Sequence, residues 1–328
     1  MKLGWGVVST GAASDRLVGP GINAESDSQI VAVYSREREK ADAYAAKHGV
    51  DHAYTSYEEL LSDSAVNVVY IASPNGLHAE QAIQAAEAGK HVFCEKPLAL
   101  NAADARRVIE ACKKAGVKLG VDFQTRHYAP IQEAVRLVRE GAVGELRVLQ
   151  IESCAPSGAL KGWRTDTALS GMGAVNNLAV HPLDLARYLV GSEVAEVVAL
   201  TNAGRSDELE TIALMTMRFK NGALAYVNGS QSVPNPRPDM DLYGSAGRIS
   251  GRSTTRPFMD GELLVVSGGE ERSMPFSTKD GFQRAVASFN QSVLNNTEPN
   301  ASGEDGLRSV ELVDAIAKSA RTGTVVTL

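Results

Sequence analysis

The sequence has little cysteine and no block of basic residues, and both absences exclude classes of protein. The three cysteines, Cys94, Cys112 and Cys154, are scattered and none lies in a Cys-x-x-Cys pair, so neither a disulfide framework nor a zinc knuckle is indicated. The formal net charge is -6. Clustered Lys and Arg, which hold phosphate backbones, are missing, so we expect no nucleic-acid partner. From the cysteine pattern we expect no metal site.

Long apolar runs are missing as well. No run approaches the ~20 residues that span a bilayer. The first apolar run passes straight into a Gly-rich turn, which leaves no room for a signal peptide. We therefore expect a cytoplasmic protein with no membrane partner.

Two folding patterns follow one another along the 328 residues, a length that suits two domains. Over residues 1–122, short apolar runs alternate with helical segments, which predicts an α/β domain with a doubly wound parallel sheet. From 123 to 328, longer strands are joined by short turns, and Asn221-Gly222 between two β-rich runs is a strong hairpin signal. This pattern predicts an α+β domain built on a large, mostly antiparallel sheet.

The turn after the first strand contains small residues in nearly the spacing of a dinucleotide-binding loop. Ser9, Gly11 and Ser14 hold the three places of Gly-x-Gly-x-x-Gly. Small side chains there let the backbone approach a pyrophosphate at a helix N-terminus. The candidate residues for this contact are Ser9, Thr10, Gly11, Ala12 and Ala13. A tight turn without a ligand is the alternative reading.

The second strand ends in Ser35-Arg36-Glu37-Arg38. An acidic residue at this strand end would bind the ribose 2'-hydroxyl of NAD. Here Ser35 can hydrogen-bond, and Arg36, with Arg38 as a second candidate, can pair with a 2'-phosphate. The sequence therefore predicts NADP as the preferred cofactor, with NAD possible. A charged helix start is the alternative.

Two later strand ends carry polar groups at the same predicted sheet edge. One is Ser73-Pro74-Asn75, with His78 close behind, and the other is Glu95-Lys96-Pro97. Lysine at this edge can direct its ammonium at a substrate oxygen, as a proton donor or as a fixed charge. A surface ion pair between Glu95 and Lys96 is the alternative.

Taken together, these four strand ends resemble the glucose-fructose oxidoreductase/inositol dehydrogenase family of NAD(P)-dependent sugar and polyol oxidoreductases. The resemblance covers essentially the whole chain. It implies a Rossmann domain over 1–122 and a substrate-binding and oligomerisation domain over 123–328. It also implies that Ser73, Pro74, Asn75, His78, Glu95 and Lys96 lie at the cofactor, and that the protein is a homodimer or homotetramer.

The second half carries a helix with Asn177, His181 and Asp184, whose spacings of four and three residues put the side chains on one face. In the family, the corresponding helix carries an Asp and, four residues later, a His, both at the substrate. His181 matches the His, whereas Asn177 replaces the Asp. We expect His181 to act as general acid/base, Asn177 to hydrogen-bond without supplying charge, and Asp184 to support the helix.

Two further segments resemble parts of the family's site. Arg126 lies in a segment like the family's crossover into the second domain and is expected near the substrate. Gly162-Trp163-Arg164 resembles a loop that reaches the cofactor in NADP-using sugar-ketone reductases of the family, although Trp163 could equally pack between domains.

The expected activity is reversible hydride transfer between NADP(H) and a CH-OH or C=O group of a sugar, sugar-ketone or polyol. Lys96, Arg126, Asn177 and His181 are the expected substrate contacts, with Lys96, Asn177 and His181 as the catalytic set. The replacement at Asn177 keeps one alternative open, a non-catalytic relative that senses a nucleotide or a sugar.

Overall fold

The computed structural model describes residues 2–156, 160–206 and 208–328. The chain forms two compact units. The first unit comprises the residues up to 124 together with 282–310, and the second comprises 125–281 together with 311–328. A single division at 122/123 does not describe this arrangement, because part of the C-terminal stretch folds with the first unit.

The first unit is built on a parallel sheet that has six strands in the described residues. Its strand order is β3-β2-β1-β4-β5-β6. The strands are β1 (Leu3–Val8), β2 (Ser28–Tyr34), β3 (His52–Tyr54), β4 (Val68–Ile71), β5 (His91–Cys94) and β6 (Leu119–Val121). The helices between them are α1 (Gly19–Ala24), α2 (Arg38–His48), α3 (Tyr57–Ser62), α4 (His78–Glu87) and α5 (Ala102–Ala115). The predicted doubly wound parallel sheet is confirmed.

The strand order reverses between β1 and β4, the place where open α/β sheets bind ligands. The last residues of β1, β4, β5 and β6 are paired in register across the sheet: Val8, Ile71, Cys94 and Val121. The residues that follow them therefore leave the sheet side by side at its carboxyl edge: Ser9, Ala72, Glu95 and Asp122.

The second unit is built on a sheet that has nine strands in the described residues, in the order β14-β13-β12-β11-β7-β10-β9-β8-β15. The strands are β7 (Leu146–Glu152), β8 (Val194–Thr201), β9 (Ala213–Phe219), β10 (Leu224–Asn228), β11 (Met240–Gly244), β12 (Gly247–Arg252), β13 (Asp260–Ser267), β14 (Glu270–Ser277) and β15 (Val326–Thr327). The later helices are α6 (Ala129–Arg139), α7 (Thr167–Ser170), α8 (Val180–Val190), α9 (Gly281–Leu294) and α10 (Gly303–Thr322).

The predicted mostly antiparallel sheet is confirmed; β7 and β10 form a parallel pair within it. The hairpin is confirmed too, because β9 and β10 are antiparallel neighbours and Gly222 between them has a φ of 91°. The sequence pattern did not predict β8, β12 or β15. Glycine and arginine occupy four of the six positions of β12, and β15 has only two residues.

Burial divides this sheet into an inner and an outer face. Along β9 buried and exposed residues alternate strictly, as expected for a strand with one face on a core. The inner face packs with α6 and α8 in one apolar cluster. Large apolar side chains remain exposed on several strands: Leu200, Leu214, Leu224 and Tyr243.

Aromatic packing explains why residues 282–310 fold with the first unit. Trp5 on β1 contacts Phe93 and Phe289 edge-on, with ring centroids 5.7 and 5.9 Å apart. Phe289 lies on α9. A Cβ at Gly120 would lie 2.6 Å from the Phe289 ring, so glycine there makes room for it. Aromatic side chains each bury roughly 150–250 Å², and α9 therefore completes the first unit's core.

None of the helices within the described ranges is long and apolar enough to cross a membrane.

Candidate active site

A buried serine stabilises the turn after β1 through hydrogen bonds to its backbone. Ser14 is fully buried, and its Oγ donates to the carbonyl oxygens of Ser9 and Gly11, at 2.7 and 2.9 Å. Ser9 has a φ of 93°, the left-handed region that glycine at the first place of the motif would adopt freely. A Cβ at Gly11 would meet only Ser9 Oγ, at 3.5 Å. The backbone at Gly11 is therefore open to a ligand.

A helical stretch follows this turn at once. A π-helical segment, Ala13–Val18, leads directly into α1. The N–H groups of a first helical turn lack partners within the helix, and they favour a phosphate. Thr10, Ala12 and Ala13 are accessible in this region. The residues therefore fit the pyrophosphate of a dinucleotide.

Close packing of this helical stretch against α2 depends on a glycine outside the motif. A Cβ at Gly19 would lie 2.2 Å from the Ser14 carbonyl oxygen and 2.7 Å from Tyr44 Oη. Tyr44 itself donates to that carbonyl at 3.1 Å. Gly19 therefore leaves room for Tyr44 Oη at the Ser14 carbonyl oxygen, and the Ser14 hydroxyl supplies the hydrogen bonds within the turn.

The two arginines after β2 differ in their surroundings. Arg36 is exposed and makes no hydrogen bond or ion pair to any described residue. Glu37, the adjacent residue in the sequence, is paired with Lys40 at 2.6 Å. Arg38 donates to the carbonyl oxygen of Ala53 at 2.7 Å. Of the two, Arg36 is the arginine whose guanidinium is available to an anion.

Serines after β2 and β4 are largely buried. Ser35 Oγ accepts from the backbone N–H two residues ahead at 3.3 Å, and Ser73 Oγ donates to Gln81 Oε1 at 2.6 Å. Asn75 is buried as well, whereas Pro74 is partly exposed. The loop after β4 thus presents mainly Pro74 and backbone at the sheet edge.

His78 does not have the position expected of a cofactor contact. The side chain is fully buried, with Nδ1 2.7 Å from the Pro97 carbonyl oxygen and Nε2 2.8 Å from the Ser73 carbonyl oxygen. Both ring nitrogens are therefore used within the unit. His78 instead joins the loop after β4 to the loop after β5, because both loops offer backbone oxygens to one buried ring.

Glu95 and Lys96 are partly exposed at the end of β5. Glu95 Oε1 accepts a hydrogen bond from Tyr70 Oη at 2.7 Å, which fixes the carboxylate against the sheet. Beside it, Asp122 is almost fully buried. Burial and the neighbouring charge of Glu95 raise the pKa of Asp122 well above its usual range. Burial therefore disfavours a charged Asp122 next to the Glu95 carboxylate.

In the second unit, Asn177 bridges two side chains. Asn177 Oδ1 accepts from Arg164 Nε at 3.0 Å, and Asn177 Nδ2 donates to Gln231 Oε1 at 2.6 Å. Arg164 also stacks on Trp163, with its Cζ 4.4 Å from the ring centroid. An amide can donate and accept at once, whereas a carboxylate can only accept. The replacement of Asp by Asn therefore suits this bridge.

His181 follows four residues later at the start of α8. A π-helical stretch, Val175–Ala179, precedes the regular helix, which begins at Val180. Pro182 lies in the first turn of this helix, where proline is tolerated. His181 is partly exposed.

A single residue holds the backbone that leads into this helix. The carboxylate of Glu210, 3% exposed, accepts from the N–H groups of Gly173 and Val175 at 2.9 and 2.8 Å. Its carbonyl oxygen accepts from Ala174 N at 2.8 Å. Burial raises the pKa of Glu210, while the backbone hydrogen bonds act in the opposite direction.

Arg126 was expected at the substrate, but its guanidinium is held inside the second unit. The side chain is 3% exposed and makes two hydrogen bonds to fully buried Asp184, from Nε at 2.7 Å and from Nη2 at 2.6 Å. Tyr188 lies under the guanidinium, 4.8 Å from its Cζ. Arg126 thus neutralises Asp184, and Asp184 has the supporting position expected of it.

Within each unit the structure groups most of the predicted residues. The carboxyl edge of the first unit gathers the β1 turn, Arg36 and Glu95-Lys96, and one network of the second unit joins Trp163, Arg164 and Asn177. Sequence reasoning missed Asp122, Gln231 and Glu210. The sequence contained a signal for Asp122, because this residue directly follows a strand, as Glu95 does. Gln231 and Glu210 had no such signal, because each of them binds residues that are distant in sequence.

No group of three or more His, Cys, Asp or Glu side chains in the described part of the chain has the arrangement of a metal site.

A doubly wound sheet whose first turn has small residues and leads directly into a helix is typical of nucleotide-binding units. The fold of the first unit and the groups at its carboxyl edge define a dinucleotide-dependent enzyme. The model of an oxidoreductase family with an NAD-binding Rossmann fold matches residues 3–123, and the model of the GFO/IDH/MocA C-terminal domain matches residues 131–250. The chain belongs to this GFO/IDH/MocA oxidoreductase family, which confirms the resemblance seen in the sequence.

Named relatives agree with this membership over their full length. 1,5-Anhydro-D-fructose reductase of Ensifer adhaerens is 31% identical over 97% of this chain and 96% of the relative. D-xylose 1-dehydrogenase (NADP(+)) 2 of Haloferax volcanii is 31% identical over 99% of both. The crystal structure of aldose-aldose oxidoreductase from Caulobacter crescentus, complexed with glycerol, matches with a TM-score of 0.93 and 31% identity over 100% of both chains.

Proposed function

We propose that the protein transfers a hydride between NADP(H) and a CH-OH or C=O group of a sugar, sugar-ketone or polyol. The observation that carries this proposal is the carboxyl edge of the first unit, where Lys96 and a turn fit for pyrophosphate lie on one rim. The named relatives act on sugars or sugar derivatives, which supports the substrate class.

The preference for NADP rests on Arg36. An exposed guanidinium without a partner in the described residues suits a 2'-phosphate. The acid that follows it in the sequence, Glu37, is paired with Lys40. An NAD-specific site would need a carboxylate free to bind the two ribose hydroxyls. Arg36 and the small-residue turn would hold the cofactor at its 2'-phosphate and pyrophosphate.

Nicotinamide supplies the hydride chemistry when it is bound. The protein has to orient the substrate and manage one proton. We assign to Lys96 the hydrogen bond to the reacting oxygen, where its charge stabilises the negative charge that develops. We assign the exchange of the proton to His181, whose unperturbed pKa is near neutral. Asn177 orients the site by hydrogen bonds and adds no charge.

A second candidate function is a non-catalytic sensor of a nucleotide or a sugar. One observation favours it, the neutral Asn177 in a network with Arg164 and Gln231. The presence of both Lys96 and His181 argues for catalysis, because a sensor needs neither a proton-exchanging group nor a charge at the reacting oxygen.

A spectrophotometric screen separates the two. NADPH and NADH consumption is measured over sugar ketones and aldehydes, and the reverse reaction over aldoses and polyols. If the protein is the proposed enzyme, we expect turnover with NADPH on at least one of these sugar or polyol substrates. Tight NADPH binding with no turnover on any of them would establish the sensor instead.

We also propose a cytoplasmic homodimer or homotetramer. All three cysteines are free and buried, which suits a reducing compartment. The outer face of the large sheet exposes Leu200, Leu214, Leu224 and Tyr243, and exposed apolar groups of this kind favour association with a second subunit. Sedimentation analysis tests the subunit number.

A further inference from the structure

Two carboxyl groups lie side by side at the carboxyl edge of the parallel sheet. Cys94 on β5 pairs in register with Val121 on β6, so that Glu95 and Asp122, the next residues, are neighbours. The hydrogen bond from Asp122 N to the Cys94 carbonyl oxygen, at 2.8 Å, extends the pairing by one step. Asp122 is only 1% exposed.

The surroundings of the two carboxyl groups differ. Glu95 accepts a hydrogen bond from Tyr70 Oη at 2.7 Å. Among the described residues, no donor reaches either side-chain oxygen of Asp122. A buried carboxylate without a donor is costly, whereas a protonated one can itself donate. The Glu95 carboxylate, the neighbour of Asp122 in the register, is the acceptor that a protonated Asp122 would use. Burial without a donor therefore favours the protonated form of Asp122.

The charges around the pair agree with a protonated Asp122. Burial raises the pKa of Asp122 most, and the charge of Glu95 raises it further, while Lys96 acts in the opposite direction. The other titratable groups that face the cluster come from three elements: Tyr70 on β4, His78 at the start of α4, and Cys94 on β5. Burial raises the pKa of Tyr70 and of Cys94 and lowers the pKa of His78. All three are therefore uncharged near neutral pH.

We propose that Glu95 and Asp122 share one proton at neutral pH, and that Asp122 is a positioning residue that keeps Glu95 in place and singly charged beside Lys96. If both acids were ionised, two negative charges would attract one ammonium and draw Lys96 away from a substrate oxygen. The shared proton is a property of the sheet edge alone, whereas its effect on Lys96 rests on the proposed function.

The shared proton is tested by the pH dependence of stability in Asp122→Asn. The pKa of Asp122 is raised in the folded state, so its favourable contribution is fully present below the unfolded pKa and is lost as the pH rises through the folded pKa. Asparagine keeps a donor for Glu95 and removes the titration. The Tm of D122N minus that of the wild type should therefore rise by about 3 °C or more between about pH 4 and pH 8.

Asp51→Asn, at an exposed position of the same unit, is the matched control and should give a difference that does not change with pH. A pH-independent difference for D122N as well would overturn the shared proton. A second measurement does not depend on unfolding: with ¹³C-labelled aspartate, the carboxyl signal that is missing in D122N should remain that of a protonated acid at about pH 7. Titration of this signal in the ordinary range of aspartate would also overturn it.

The positioning role is tested by turnover. D122N should keep kcat within about twofold, because its amide still donates to Glu95, and Asp122→Ala should lower kcat about tenfold or more. The Michaelis constant for NADPH should change less than kcat in D122A. Wild-type kcat in folded D122A would overturn the positioning role. If the wild type turns over no substrate, the proposed function has failed, and the Tm and NMR measurements still decide whether the proton is shared.

Discussion

Asp184 holds the guanidinium of Arg126 with two hydrogen bonds of 2.6 and 2.7 Å, and both side chains are almost completely removed from solvent. The two residues are 58 positions apart in the sequence. Their contact ties the segment before α6 to α8, the helix on which His181 lies. Arg187 lies 3.7 Å from the same carboxylate but makes its hydrogen bonds to Glu193, so Arg126 is the cation that hydrogen-bonds Asp184, and a buried charge that loses such a partner is strongly unfavourable.

Removing one partner of this pair should destabilise the protein severely. We expect Arg126→Ala to lower the free energy of unfolding by about 3–5 kcal/mol, since Asp184 would remain buried and charged without a full counter-charge. Chemical denaturation measures the change. Arg136→Ala removes an arginine whose ion pairs with Glu133 and Glu140 lie at the surface, and it should leave the midpoint unchanged. Equal effects of the two variants would contradict the importance of burial.

The backbone clamp by Glu210 should be the second sensitive point of this unit. Glu210→Ala removes two hydrogen bonds from N–H groups to a charged acceptor, each worth about 1.5–3 kcal/mol, so the free energy of unfolding should fall by about 3 kcal/mol or more. Glu208→Ala, at an exposed neighbour, is the control and should unfold like the wild type. A near-neutral E210A would show that the clamp does not stabilise the start of the helix.

His181 should carry the proton exchange in the proposed reaction. His181→Ala should lower kcat about 100-fold or more, because a positioned acid/base contributes about 10²–10⁴-fold. His52→Ala, which replaces an exposed histidine on β3, is the control. We expect its turnover to equal that of the wild type. Steady-state kinetics measures kcat of this variant. Normal turnover in H181A would show that His181 has no catalytic role.

Restoring an acid at position 177 should change the pH profile. In Asn177→Asp a negative charge close to His181 would favour the imidazolium, so the pKa that governs kcat should rise by about one unit. Asn177→Ala removes the hydrogen bonds to Arg164 and Gln231 without adding charge, and its profile should not move upward. A profile unchanged in N177D would mean that residue 177 does not act on His181 electrostatically.

The preference for NADP should depend on Arg36. Arg36→Ala should raise the Michaelis constant for NADPH about tenfold or more, since a charge-assisted pair with phosphate is worth about 1.5–3 kcal/mol, and it should leave the constant for NADH nearly unchanged. Arg38→Ala, whose guanidinium already donates to the Ala53 carbonyl, should have a smaller effect. An equal change for both cofactors would contradict the assignment to the 2'-phosphate.

Local signals predicted the first unit well. Each of its strands is a short apolar run that ends in polar or small residues, and α5 begins and ends at strong signals, with Asn101 as a side-chain N-cap and Gly116 in the left-handed conformation. Such signals depend on neighbours along the chain, so the sequence contains them in full. The Asn221-Gly222 turn signal also predicted the β9–β10 hairpin.

Contacts between distant residues were not predictable in the same way. No local pattern shows that α9 supplies Phe289 to the core around Trp5, or that Glu210 holds the backbone before α8. Gln231 is 54 positions from Asn177, its partner. Energies of this kind depend on burial and on the distance between side chains, and both exist only after the chain has folded.

The sequence by itself determined the alternation of strands and helices, because this alternation follows from hydrophobic periodicity. It also determined the sheet edge at which Ser9, Arg36 and Lys96 lie, and the family, because both follow from residue types at fixed spacings. The tertiary structure decided how the polar groups are used. It buried His78, Arg126 and Asp184 against partners from other segments, and it set Asp122 beside Glu95 away from water. A carboxyl group becomes a proton-holding acid only through that loss of solvent and the charge next to it.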